Sequence, residues 1–234
     1  MNEKNIVESL KGGLVVSCQA LEHEPLHSSY IMSKMALAAK LGGAAGIRAN
    51  SYEDIVAIKQ EVNLPVIGIV KRNFEDSSVF ITATMTEVDE VVLAGAEIVA
   101  LDATDRPRPN QQTLENFYRE IRAKYPEVIL MADVSTFKEG MNASRLGFDL
   151  IATTLSGYTE YTKNVHSPNI QLVEELAKRV DIPIMAEGGY WKGEDLQRAV
   201  LAGAHGCIVG SAITRPMDIT RHFVDCLQTE GIKR

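Results

Sequence analysis

The feature that most constrains this chain is an alternation repeated eight times: a short apolar run rich in β-branched residues, then a longer amphipathic stretch. A run that is apolar at every position, not at every second one, is covered on both faces. That is how parallel strands roofed by helices read. The pattern predicts strands at Leu14–Ser17, Gly46–Arg48, Val66–Val70, Ile98–Leu101, Val128–Ala132, Leu150–Thr153, Ile182–Ala186 and Cys207–Val209. It predicts helices at Ser29–Leu41, Tyr52–Glu61, Thr86–Ala94, Gln112–Lys124, Phe137–Leu146, Ile170–Arg179, Glu194–Ala202 and Met217–Gln228. Pro65 and Pro183 sit at the openings of the third and seventh strands. Gly95, Gly147 and Gly203 each stand between a helix and the next strand, where a left-handed cap favours glycine. The recurrence marks one βα design used repeatedly.

Eight such units in 234 residues point to a single closed (β/α)8 TIM barrel spanning 1–234, with residues 1–12 as a short helix at its bottom. The rival is an open doubly wound sheet. It would use fewer strands and a Gly-rich first turn, and no G-x-G-x-x-G follows the first strand. The hydrophobic share of 45% and charged share of 24% suit a globular core. A net charge of -7 argues against binding nucleic acid or an anionic membrane, so an anionic ligand would need local positive groups. Three cysteines give no disulfide framework. Residues 1–12 lack the apolar core of a signal peptide and no apolar run is long enough to span a bilayer. The expectation is a cytoplasmic protein.

In a barrel the chemistry lies where strands end and the following loops begin. Those ends carry Gln19, Arg48, Lys71, Asp102, Asp133, Thr153-Thr154, Glu187-Gly188-Gly189 and Gly210-Ser211. Loops beside strands are often polar. The same-end clustering of Arg48, Lys71, Asp133 and Glu187 is harder to explain that way. Lys71 follows an apolar strand directly. Burial beside another cation would lower its pKa and free an amine as a base. By position alone, a lysine reaching to solvent beside Arg72 fits as well. Glu187 can orient that lysine, bind hydroxyls or act as an acid; a purely structural partner for Lys71 or Arg48 is the plainer alternative. Asp133 and Asp102 can each hold a hydroxyl or an ammonium, and for Asp102 a capping or structural role is preferred. Gly188, Gly189, Gly210 and Ser211 follow strands seven and eight, the usual phosphate site of the fold, and Arg215 can add charge. The histidines do not sit at strand ends with carboxylates at ligand spacing, so no metal is expected. Cys18 reads as a small buried residue and not a nucleophile.

The segments Val16-Ser17-Cys18-Gln19-Ala20, Gly46-Ile47-Arg48-Ala49, Pro65 to Lys71, Met131-Ala132-Asp133, Ala186-Glu187-Gly188 and Gly210 to Pro216 closely resemble the N-acetylmannosamine-6-phosphate 2-epimerases of bacterial sialic acid catabolism. The resemblance runs from the first strand to the last helix. It implies a cofactor-independent epimerase that interconverts N-acetylmannosamine 6-phosphate and N-acetylglucosamine 6-phosphate. By motif position it implies Lys71 as catalytic lysine with Glu187 as its partner carboxylate. It also implies Gln19, Arg48 and Asp133 as sugar contacts, and Arg215 with the nearby glycines as phosphate contacts. Gly189-Tyr190 is a local departure from the family pattern. Proton removal at C2 by Lys71 follows, with the return proton coming either from Lys71 itself or from Glu187. A class I aldolase, which would also use a barrel lysine, and a silent phosphosugar-binding barrel are the rival readings. The family also implies a homodimer, and the apolar positions of the last helix would either close the barrel or join a neighbour.

Overall fold

A computed structural model describes residues 3–227. Eight parallel strands close on themselves in sequence order, each bonded to the next and the last to the first. The open-sheet alternative is thereby excluded. The strands are β1 (Leu14–Cys18), β2 (Gly46–Asn50), β3 (Val66–Ile69), β4 (Ile98–Asp102), β5 (Ile129–Asp133), β6 (Leu150–Ala152), β7 (Ile184–Glu187) and β8 (Gly206–Val209). The helices are α1 (Glu3–Ser9), α2 (Ser29–Leu41), α3 (Tyr52–Glu61), α4 (Met85–Leu93), α5 (Leu114–Lys124), α6 (Phe137–Leu146), α7 (Ile170–Ala177), α8 (Gly193–Leu201), α9 (Ser211–Thr214) and α10 (Pro216–Leu227). Among the described residues no helix is long and apolar enough to cross a membrane.

Element boundaries differ from the sequence pattern for local chemical reasons. β7 starts at Ile184 and not Ile182, because Pro183 has no N–H to give the ladder; its carbonyl still accepts from Ile151. α4 starts at Met85 and not Thr86, because Thr84 and Glu87 form a reciprocal capping box. α5 starts at Leu114 and not Gln112. A separate tight turn occupies Pro109–Gln111, and the Thr113 side chain accepts from the Asn116 N–H. β3 stops at Ile69, one residue short of Val70, where the chain leaves the ladder and turns back. α1 ends at Ser9, and the chain turns through Gly12 at φ 66° into β1. The predicted end of the last helix at Gln228 lies outside the described residues, as do positions 1 and 2 of the predicted N-terminal helix. Gly95, Gly147 and Gly203 all adopt positive φ, as the recurrent junction required.

Within each strand, side chains alternate between two apolar layers. Val15, Ile67, Ile69, Ile98, Met131, Leu150, Met185 and Ile208 fill the barrel interior, with Leu10 closing its lower end beside Ile6 of α1. Ile47, Ala49, Val66, Val99, Leu130, Ile151 and Val209 face the helices. Each fully buried aliphatic side chain contributes roughly 1.5–3 kcal/mol of transfer free energy. The same alternation within the strands puts Arg48, Asp133 and Glu187 on the parity of the interior layer, and continued past the strand ends it puts Gln19, Lys71 and Thr154 there too. The fold thus aims them at one spot. The last helix does not help close the barrel. α10 has no buried residue, and Phe223 and Leu227 stand in the open.

Gly68 belongs to the outward layer, and helices α3 and α4 press against it. A Cβ there would come within 2.5 Å of Val91 Cγ1 and 2.8 Å of Ala96 Cβ. Gly68→Ala is therefore expected to destabilise the protein by about 1–3 kcal/mol through overpacking. Thermal unfolding checks this, with a fall in Tm of about 2–4 °C for each kcal/mol lost.

Candidate active site

A cavity of about 300 Å³ opens at the C-terminal end of the barrel, lined in part by Gln19, Arg48, Lys71, Thr154, Glu187 and Arg215. Gly188, Gly189, Gly210 and Ser211 also line it. Among the predicted site residues, Asp133 alone does not reach the cavity. It is fully buried beneath Arg48. Both of its oxygens accept from Arg48, and Oδ1 also from the Thr154 hydroxyl.

The centre of the wall is Arg48, of which only 1% is exposed. Its Nη1 and Nη2 donate to the two oxygens of Asp133, and Nη1 also donates to Glu187 Oε2. Burial opposes its charge, but the two carboxylates more than offset this and hold it cationic. Its Nε is buried without a partner, as is Gln19 Oε1, whose amide nitrogen donates to Ser17 Oγ at 2.6 Å. Both residues line the cavity, so these two atoms are a donor and an acceptor left over for a ligand.

Lys71 is set by its own backbone. Its N–H donates to Asn50 Oδ1 at 2.8 Å, and it pairs with Ile81 in an antiparallel bridge as the chain turns back. Burial pushes the amine down from its ordinary value to about 8, and the positive charges of Arg48 and Arg215 add to this. Lys71 is half-buried and lines the cavity. Arg72, its neighbour, turns outward to Glu87 and Glu90. Burial pushes the Glu187 carboxyl up, with Arg48 opposing and Asp133 reinforcing the rise. The backbone of Glu187 is clamped by Thr153, whose hydroxyl meets its carbonyl at 2.9 Å and its N–H at 3.1 Å.

The loops after β7 and β8 line the cavity with glycine backbone and one cation. Gly188 and Gly189 take positive φ, and a Cβ on Gly189 would lie 2.5 Å from Ser167 Cβ. Among the described residues, the N–H groups of Gly189, Ser211 and Ala212 have no backbone acceptor. Arg215 joins them, tethered at 3.2 Å to Glu24.

Asp102 takes the structural role. It accepts from the Thr104 N–H and hydroxyl and pairs with Arg106, away from the cavity. Cys18 is fully buried, and burial with the nearby Asp54 carboxylate pushes its thiol up to about 12, which removes it as a nucleophile. Phe80, Tyr158 and Trp191 line the cavity from loops and were not predicted. Sequence periodicity carries no signal for them. Thr154 was visible as a strand end, and the Leu150–Ala152–Thr154 parity would have marked it as inward.

A family model described as "Putative N-acetylmannosamine-6-phosphate epimerase" matches residues 32–229. A relative from Caldanaerobacter subterraneus subsp. tengcongensis is 54% identical over 95% of this chain and 94% of its own length. Another, from Enterobacter sp. (strain 638), is 54% identical over 99% of each. Both are described as "Putative N-acetylmannosamine-6-phosphate 2-epimerase". A solved structure of the N-acetylmannosamine-6-phosphate 2-epimerase from Clostridium perfringens is 50% identical, with a TM-score of 0.90 over 94% of this chain and 95% of that one. Thiamine phosphate pyrophosphorylase from Pyrococcus furiosus, at 19% identity and TM-score 0.62, shares the fold alone.

Removing the Arg48 charge should act on its neighbours in a definite direction. In Arg48→Met the Lys71 ammonium loses a repelling cation, so its pKa should rise above about 8. The uncompensated carboxylates should lower stability by about 3–5 kcal/mol. The pH dependence of Lys71 modification, read by mass spectrometry, and denaturant unfolding check the two effects.

Proposed function

The chain belongs to the family of N-acetylmannosamine-6-phosphate epimerases, and on that premise we propose that it interconverts N-acetylmannosamine 6-phosphate and N-acetylglucosamine 6-phosphate by moving a proton at C2. The observation that carries the chemistry is a pair of tuned groups facing one cavity. Lys71 has an amine lowered to about 8, and Glu187 has a carboxyl raised from its ordinary value. The strands that present them, β3 and β7, stand four apart in a closed ring of eight, so they lie across the mouth from each other. A carbon held between them is approached from two faces.

In the ring-opened sugar the C1 aldehyde acidifies the C2 hydrogen. Neutral Lys71 takes that proton; the C–H electron pair moves into the C1–C2 bond and charge collects on O1. Arg48, cationic and with its Nε unpartnered, is the donor placed to hold that oxygen. Glu187 then gives its proton to C2 on the other face, which inverts the centre. The proton now on Lys71 returns to Glu187 through solvent, so one proton enters and one leaves per turnover. In the reverse direction the two groups exchange roles. Arg215 with the free N–H groups of the β7 and β8 loops is the phosphate end, and the free Gln19 Oε1 accepts from a sugar N–H or O–H. Asp133 acts by fixing Arg48. The exposed face of α10, with Phe223, Val224 and Leu227, supports a homodimer, which sedimentation would test.

Turnover in heavy water is expected to place deuterium at C2, and Lys71→Ala to lose at least about 10³-fold in kcat. The profile of kcat/KM against pH should be bell-shaped. The working enzyme holds one proton between Lys71 and Glu187, so the basic limb falls near 8 as Lys71 loses its proton, and the acid limb marks proton uptake by Glu187. Retention of the original C2 hydrogen in every molecule would refute the exchange mechanism. Borohydride trapping of substrate on Lys71 would instead mark an aldolase-like Schiff base.

A further inference from the structure

Thr154 occupies a position with an unusual proton count. Its Oγ1 lies 2.7 Å from Glu187 Oε2 and 2.8 Å from Asp133 Oδ1, while Arg48 Nη1 donates to it at 3.3 Å. A hydroxyl has one proton to give and two lone pairs. With both carboxyl groups ionised, that proton serves one of them and leaves the other facing a lone pair. With one carboxyl protonated, both carboxyl contacts of Oγ1 are satisfied: the acid donates to Oγ1, and Oγ1 donates to the remaining carboxylate. Asp133 has both oxygens filled by Arg48, so it is the acceptor of the two. Glu187 is the proton-bearing partner.

We propose that Thr154 is a positioning residue of the proton-transfer step: its hydroxyl donates to Asp133 while Glu187 carries a proton and turns to donate to Glu187 once that proton has left. This rests on the acid–base reading of Lys71 and Glu187 given above. The turn moves one hydrogen about the Cβ–Oγ1 bond and no heavy atom. Glu187 therefore keeps a hydrogen bond to Oγ1 in both charge states, and Asp133 keeps Arg48 on both oxygens throughout, in a wall where an unmet charge would be costly. The neighbouring Thr153 holds the Glu187 backbone through its N–H and carbonyl. Two adjacent threonines at the end of β6 thus fix the position of the acid and follow its charge. The other charged groups acting on Glu187 are Arg48 from β2, Asp133 from β5 and Lys71 beyond β3. On the β8 side its register partner is Ile208, which is uncharged. Arg215 lines the same cavity and acts on Lys71.

The sign of the effect follows from which state gains. Asp133 has Arg48 on both oxygens in either state, so the hydroxyl counts most for ionised Glu187, which accepts a charge-assisted bond from it; its loss raises the Glu187 pKa further. The test compares Thr154→Val, which keeps the shape without the hydroxyl, with Thr154→Ser, which keeps the hydroxyl. The first readout is the infrared titration of the Glu187 carboxyl in the ligand-free protein, identified as the band missing in Glu187→Gln. It is expected to move up by about one pH unit in Thr154→Val and to stay in place in Thr154→Ser. The second is the acid limb of kcat/KM, expected to shift upward with it, with kcat about tenfold lower and the basic limb near 8 unchanged. If the valine variant does not fold, Thr154→Cys, a poorer donor, must shift the titration the same way by less. A titration that stays in place in both the valine and cysteine variants, or a uniform loss of kcat with an unmoved acid limb, overturns the proposal. Wild-type protein that leaves C2 unexchanged sinks the epimerase reading instead, and the infrared titration still decides the role of Thr154.

Discussion

A single buried cation organises the mouth of this barrel. Arg48 is brought in by the alternation of β2 and is only 1% exposed. A lone guanidinium there would be costly to bury, so its charge must be met by carboxylates on other strands. Asp133 and Glu187 meet it from β5 and β7, and Thr154 fills the space between them. The arrangement works only if the barrel closes in register, because each partner comes from a different strand.

The same cation shapes the chemistry. Its positive field, added to burial, depresses the Lys71 amine, while its hydrogen bonds restrain how far burial can raise Glu187. One residue thus lowers both titrating groups, the amine toward neutral pH and the carboxyl against the rise that burial imposes. Against the net charge of -7 on the whole chain, the positive groups at the mouth are local. Arg215 and the glycine loops sit at one side of the cavity and Arg48 at another.

Most strands divide their labour. In β1, β3, β5, β6 and β7 the lower inward positions carry apolar side chains, and the last inward position, in the strand or just beyond it, carries a polar group. Packing and the polar mouth thus share strands without sharing residues, apart from the Arg48–Asp133 pair, which is buried and ties β2 to β5.

The eight apolar runs by themselves determined the closed barrel, and the strand ends named the polar groups at its mouth, because period and burial are written locally in the chain. Lys71, Glu187, Arg48 and the two glycine loops were legible for that reason. The role of Asp133 was not, since whether a strand-end carboxylate faces a ligand or an arginine depends on a partner 85 residues away. Nor were Phe80, Tyr158 and Trp191, which reach the cavity from loops with no periodicity to read. Only tertiary closure decided which charges touch, and contact is what sets the protonation of a buried acid and a buried amine.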